Sequence, residues 1–364
     1  MIGMAGLLGL GATLGAQTVP PELREFLAAN GHFDESDFRD LTAGKPVARL
    51  LETKDRGEVA GVGAVRIAVP RDFFLAQLDD IVRYKQEQVS PPPEIGRFDS
   101  PPRLADLQAL SLSRRDIESL RSCRPGDCAV KLPAAAIERF RKEIPWSGAE
   151  AHEAANRLFR EFLLARLQGY LTSGGAALAP YADKNSRVSI TAGFDDLLAA
   201  APYLSRRAPR LADCLARFPH CDSSVKTFLY WSKEKFGHRL RPVISVSQVM
   251  VDREGNKTDD WVWEASKQLY ASHYLDCSLS LSLLVDAREK SEAPAFYFVY
   301  LNRSRSDLLR GALGGLVQGL VQIGVGGKMN ERLERLRKRM ESLWKAHASQ
   351  DKSRAGPHPA GPER

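Results

Sequence analysis

The chain has 364 residues, 43% of them apolar and 27% charged. That apolar content can bury one substantial core or two smaller ones, which excludes a wholly disordered chain. The formal charge of +7 is modest for this length. With no zinc-finger spacing, recognition-helix signature or ribonucleoprotein-type aromatic strand beside it, that charge points away from nucleic acid as a partner.

Residues 1–16, MIGMAGLLGLGATLGA, form an uncharged apolar run that ends before Pro20 and Pro21. The run resembles the apolar region of a secretory leader cleaved after Ala16, although a basic leading segment is absent. It is shorter than the roughly 18 residues that a membrane span needs. Residues 17–44 read as a peripheral segment with one short helix. Two β-rich runs, 47–53 and 59–69, flank a charged turn ending in glycine and predict a hairpin. Pro70 closes the second run, and 71–84 follows with apolar residues at helical spacing.

Prolines at 91–93 and 101–102 mark a connection, after which 104–120 predicts two short helices, 134–144 another, and 149–171 the longest. This helical insertion, about residues 91–180, continues into helical patterns near 194–201 and 211–218. From Lys226 the period switches to two. Runs at 227–232, 242–252, 264–275, 278–285 and 296–302 predict an antiparallel meander with turns at Gly237, Gly255 and 290–294. Helix returns at 307–325 and 328–347, and 348–364 reads as a disordered tail. The fold class is therefore α+β, with residues 45–347 as a single domain in which a curved antiparallel sheet packs on a long C-terminal helix.

Five cysteines agree with export. Cys123 and Cys128 bracket a Pro-Gly turn, and Cys214 and Cys221 bracket a short segment ending FPH, so two local disulfides are the natural pairing. Cys277 is left as a buried thiol. Neither pair has metal-ligand spacing, and no P-loop, dinucleotide fingerprint or HExxH motif occurs, so the sequence calls for no metal and no cofactor.

The order of hairpin, helices, meander and long final helix resembles the START-like, or SRPBCC, helix-grip superfamily. The likeness is carried by VRIAVPRDFF at 65–74, and by FYFVYLN at 296–302 running into the 307–325 helix. It covers residues 45–90 and 185–345 and implies a hydrophobic-ligand pocket between sheet and last helix. The large insertion holding Cys123 and Cys128 departs from a simple member.

Strand alternation over 264–275 sets Tyr270, Ser272 and Tyr274 on one face and Ala271, His273 and Leu275 on the other. In a pocket, His273, Tyr270, Lys267 and Trp231 would orient a polar head group. His273 is also the one candidate base for an envelope hydrolase, with Tyr270, Asp276 or Ser272 as partner, but GxSxG is absent and a hydrogen-bonded structural histidine is the simpler expectation. Arg303 and Arg305, at a strand-to-helix junction, would grip a carboxylate or phosphate, or stand solvated while Ser304 or Ser306 caps the helix. Gly311, Gly315 and Gly319 allow close helix packing on the sheet or around a ligand. The basic 328–345 helix, diluted by Glu331, Glu334 and Glu341, offers peripheral contact with anionic lipid. The expected function is non-catalytic binding or transfer of a hydrophobic small molecule or lipid in the periplasm or cell envelope. The rivals are the hydrolase and a scaffold without a pocket.

Overall fold

The computed structural model describes residues 18–88, 91–235, 240–253, 261–287, 294–310 and 314–354, and gives only the backbone of 88, 314–327 and 351–354. The leader-like run, the turns expected at Gly237, Gly255 and 290–293, Gly311, and the end of the tail lie outside these residues.

Period-two alternation in the second half of the chain produces long strands, and they assemble one sheet. Its strands are β1 (Val47–Leu51), β2 (Glu58–Ile67), β3 (Glu94–Arg97), β4 (Lys226–Glu234), β5 (Val243–Asp252), β6 (Val262–Ala271), β7 (Leu275–Asp286) and β8 (Phe296–Ser306). They lie in the order β1-β2-β8-β7-β6-β5-β4-β3, every neighbouring pair antiparallel, so β1 and β3 are open edges.

Both faces of the sheet are covered by helices. On the first face lie α1 (Pro21–Gly31), α2 (Glu35–Thr42) and the insertion: α5 (Arg114–Leu120), α6 (Ala134–Glu143), α7 (Ala151–Ser173), α8 (Ile190–Ala199), α9 (Tyr203–Arg207) and α10 (Pro209–Arg217). On the second lie α3 (Arg71–Asp79), α4 (Ile81–Gln88) and the 41-residue α11 (Gly314–Arg354). Alternation divides the strands between two cores. Val62 and Ala64 join the first, with Leu279, Leu281 and Leu301; Val65 and Ile67 join the second, with Leu284, Phe296 and Phe298.

Local chemistry explains the boundaries. Asp34 accepts from the backbone N–H groups of Ser36 and Asp37 while Asp37 accepts from that of Asp34, a reciprocal cap that starts α2. Ser113 and Ser189 cap α5 and α8. α7 ends at Gly174, whose φ of 61° suits a residue without Cβ. α11 packs along β1 and β2 because Gly61 and Gly63 leave room: a Cβ at Gly63 would stand 2.7 Å from Leu333 Cδ1 and 2.9 Å from Met329 Sδ.

Both expected disulfides are present, Cys123–Cys128 and Cys214–Cys221, with Cα separations of 4.5 and 4.6 Å. Two disulfides point to an oxidising, exported compartment. Cys277 is a buried free thiol, its pKa pushed up to about 12 by burial. Among the described residues no helix is long and apolar enough to cross a membrane.

Three sequence expectations need correction. The proline-rich connection contains a strand, β3, paired with β4. The run 264–275 is not one strand. β6 ends at Ala271, and residues 272–274 turn sharply into β7 with Tyr274 at φ 61°, so alternation does not carry through His273. The C-terminal helices merge into one, separated from β8 by the short turn Asp307–Leu309 that Ser306 caps, and α11 continues through 348–354.

Candidate functional site

The residues singled out by chemistry in the sequence all lie on the first face or at its rim, where the helical insertion packs. Trp231 is buried, and its Nε1 donates to the Asp106 carbonyl oxygen at 2.8 Å. Lys267 donates to the Leu215 carbonyl at 3.2 Å and sits 3.9 Å from the ring centroid of Phe194. Burial lowers its pKa to about 8. Tyr270 donates to the Lys131 carbonyl at 3.0 Å. His273 holds the insertion to the sheet: Nδ1 lies 2.9 Å from the Ala129 carbonyl oxygen and Nε2 3.1 Å from Asp116 Oδ1. Burial pushes the Asp116 carboxyl up, but hydrogen bonds from His273, Ser113 and Arg241 outweigh it and hold the pKa low.

The proposed partners of His273 are engaged elsewhere. Ser272 Oγ accepts from the Ile244 N–H at 2.9 Å. Asp276 accepts from buried Lys131 at 2.8 Å and pairs with Arg310 at 3.0 Å. Lys131 also lies 3.0 Å from Asp307 and 3.8 Å from Asp183, forming a network that joins the insertion to the start of β7 and the end of β8. Arg303 pairs with Glu58 at 2.6 Å, and Arg305 with Asp196 at 2.6 Å and Asp55 at 3.4 Å. These side chains fasten elements together; they do not converge on one opening. A void beside Tyr203, Leu301 and Arg303 holds about 10 Å³.

The second face carries a different chemistry. Its upper rows, Val65, Phe298, Leu284 and Val262, are apolar and roofed by Phe74, Leu75 and Leu78 of α3. One register step on, the row reads Tyr300, Ser282, Glu264; the next reads Asn302, Ser280, Ser266; the next pairs Ser304 with Ser278. Beyond them Ser247 faces Gln268. Period two alone brings these groups to one side, since SLSLSL at 278–283 of β7 sends its three serines opposite to Leu279, Leu281 and Leu283.

The polar side chains bond to one another. Ser278 and Ser304 hydroxyls are 2.7 Å apart, Ser280 and Tyr300 hydroxyls 3.0 Å, and Asn302 Nδ2 donates to Ser280 Oγ at 2.9 Å. Serines 266, 278, 280 and 304 keep partial exposure. α11 borders this belt along β1 and β2, and α4 borders it at the β3 side.

Where apolar rows give way to polar ones, α4 lowers Tyr84 and Lys85 toward the sheet. Tyr84 packs 6.0 Å from Phe74, ring to ring, and Lys85 Nζ stands 5.7 Å from the Tyr230 ring centroid. Burial raises the Glu264 pKa, a rise that the hydrogen bond from Ser282 and the field of Lys85 oppose. Burial raises that of Tyr84 as well, with Glu264 adding to the effect. A polar cleft of about 170 Å³ opens between α3, α4 and α11, lined by Asp80, Arg83, Tyr84, Glu87 and Met340. Neither space is an enclosed apolar chamber beneath the last helix.

The belt was missed in the sequence because it contains no histidine, cysteine or metal-type cluster; its only signal is the serine alternation along β7 and β8. Comparison with known proteins adds no assignment: no family model matches the chain, and neither does any curated protein or solved structure.

Proposed function

We propose that this chain binds and transfers an amphiphilic, lipid-class small molecule, which lies on the second face of the sheet between α4 and α11. The observation that carries the reading is the belt of hydroxyl and amide groups across β6, β7 and β8, set against an apolar upper sheet and bordered by helices on two sides. Such a surface matches a molecule with a polar end and a greasy body. A polar face meant only to meet solvent does not require two bordering helices.

The strand order supports kinship with the START-like helix grip: β2, two helices, β3, then five meandering strands and a final helix, with β2 beside β8. In that reading the α5–α10 block is an addition on the far face, and the ligand surface lies on the α11 side. The two disulfides and the leader-like residues 1–16 favour the periplasm as the place of action.

The experiment is saturable binding of radiolabelled laurate by equilibrium dialysis, with the protein purified without detergent. One site per chain is expected, lost in Ser280→Phe, which fills the belt, and retained in Lys267→Met on the opposite face. Equal binding by wild type and Ser280→Phe would refute the location.

A further inference from the structure

We infer that the outward face of α11 is a docking surface for an anionic phospholipid bilayer. The inward face belongs to the second core, where Met329, Leu333, Leu336 and Met340 are buried. On the other side Lys328, Arg332, Arg335, Lys338 and Lys345 are all exposed. Their spacing of three, four or seven residues sets them along one side of the helix, in a line of about 25 Å. The glutamates of the helix do little to neutralise that line. Glu334 and Glu341 both face Arg337, at 2.7 and 3.2 Å, and Lys338 shares Glu334 at 3.3 Å. Glu87 of α4 pairs with Arg339. Among the described residues no carboxylate lies within ion-pair distance of Lys328, Arg332, Arg335 or Lys345, and Glu331 is the one exposed carboxylate beside them.

The cations therefore meet one another. Lys328 stands four residues from Arg332, and Arg335 three from both Arg332 and Lys338; like charges at that spacing weaken a helix. An anionic plane relieves this repulsion along the whole line at once, and basic side chains held near such a plane are drawn to it. A bilayer fits better than other polyanions. No aromatic ring lies on the line for a base to stack upon, since Trp344 turns to the sheet side and packs 5.1 Å from Phe73, ring to ring. No large apolar side chain stands among the cations to anchor an acidic peptide. The two disulfides point to an exported compartment, where membrane phospholipid offers an extended anionic surface. The same helix borders the polar belt, so docking brings the margin of the belt to the lipid, but docking does not require the belt to hold anything.

The test is vesicle flotation with the full chain purified without detergent, using phosphatidylcholine vesicles alone or mixed three to one with phosphatidylglycerol. In low salt, wild type should bind the anionic vesicles at least about tenfold better than the neutral ones, and the difference should vanish near about 0.5 M salt. The triple variant Arg332→Gln, Arg335→Gln, Lys345→Gln keeps helix-forming side chains but removes three cations, each contributing roughly fivefold near an anionic surface. Its binding should fall on the order of twentyfold or more. The charge-conserving variant Arg332→Lys, Arg335→Lys, Lys345→Arg should bind like wild type. Arg121→Gln, Lys142→Gln, Arg157→Gln removes the same charge from exposed positions on the insertion and should cost no more than about threefold. Equal loss in the two glutamine variants, equal binding of wild type to both vesicle types, or tighter binding to duplex DNA than to anionic vesicles at equal phosphate overturns the docking face. The laurate dialysis contains no vesicles, so none of these outcomes decides the amphiphile reading.

Discussion

Replacing Lys131 with methionine tests how the insertion is held to the sheet. The ammonium is 2% exposed and meets Asp276 at 2.8 Å, Asp307 at 3.0 Å and Asp183 at 3.8 Å. Methionine fills similar volume but leaves Asp183 and Asp276 buried, with only Arg310, at 3.0 Å and itself 40% exposed, still facing Asp276. Removing one partner of a buried ion pair costs about 3–5 kcal/mol, because the stranded charge is what remains. The expected loss is therefore about 3 kcal/mol or more at pH 7, read from urea unfolding followed by far-ultraviolet circular dichroism under non-reducing conditions.

The pH dependence has a definite sign. Burial already raises the Asp183 pKa, against the pull of Lys131. Without the ammonium it rises further, so the folded variant takes up protons more readily than its unfolded chain. The deficit should be full at pH 7 and shrink as the pH falls toward 4. The exposed control Lys142→Met should change stability by no more than about 0.5 kcal/mol. A loss under about 1 kcal/mol at pH 7, or one that does not shrink on acidification, would refute this account of the network.

Two further substitutions follow from single observations. Burial lowers the Lys267 pKa from 10.5 to about 8, so the charged form is disfavoured by roughly 3 kcal/mol at about 1.4 kcal/mol per unit. Lys267→Met should raise the urea midpoint at pH 7 and abolish the gain in stability that wild type shows as pH climbs from about 8 toward 10.5; a variant less stable than wild type at pH 7 would contradict this. Gly174→Ala places a Cβ against the Phe218 carbonyl oxygen at a residue of φ 61°, and should lower stability by about 2 kcal/mol or more in thermal unfolding. Unchanged melting would show that the α7 terminus relaxes freely.

Much of the architecture was legible because its causes are local. Alternation marked the meander, Pro70 divided β2 from α3, and the Pro-Gly turn between Cys123 and Cys128 brought two thiols together. The turn at 272–274 was hidden because it uses no glycine, proline or asparagine; Tyr274 takes the left-handed conformation, and its carbonyl accepts from the Ser306 hydroxyl at 2.8 Å and the Asp307 N–H at 3.0 Å. β3 was hidden among prolines because its partner, β4, is more than a hundred residues away in sequence.

The polar belt was hidden for a related reason. Alternation reveals two faces but not which one meets the insertion, so Trp231, Lys267 and Tyr270 were favoured for their chemistry; Trp231 packs against Gly96 and Asp106, Lys267 under α8 and α10, and Tyr270 under α7. Serines 278, 280 and 282 were read only as part of a strand. Only the positions of α4 and α11 set borders to that face, and α11 is placed by contacts such as Met329 and Leu333 on Gly63, distant in sequence.

The most direct test of the ligand surface is photo-crosslinking with a diazirine-bearing C12 fatty acid, followed by peptide mapping of the labelled sites. Labelling should saturate, be displaced by unlabelled laurate, and fall on β6, β7, β8 and α4 around Ser266, Ser280, Tyr300 and Tyr84. Displaceable labels confined to α5–α10, or labelling that never saturates, would contradict an amphiphile bound on the second face.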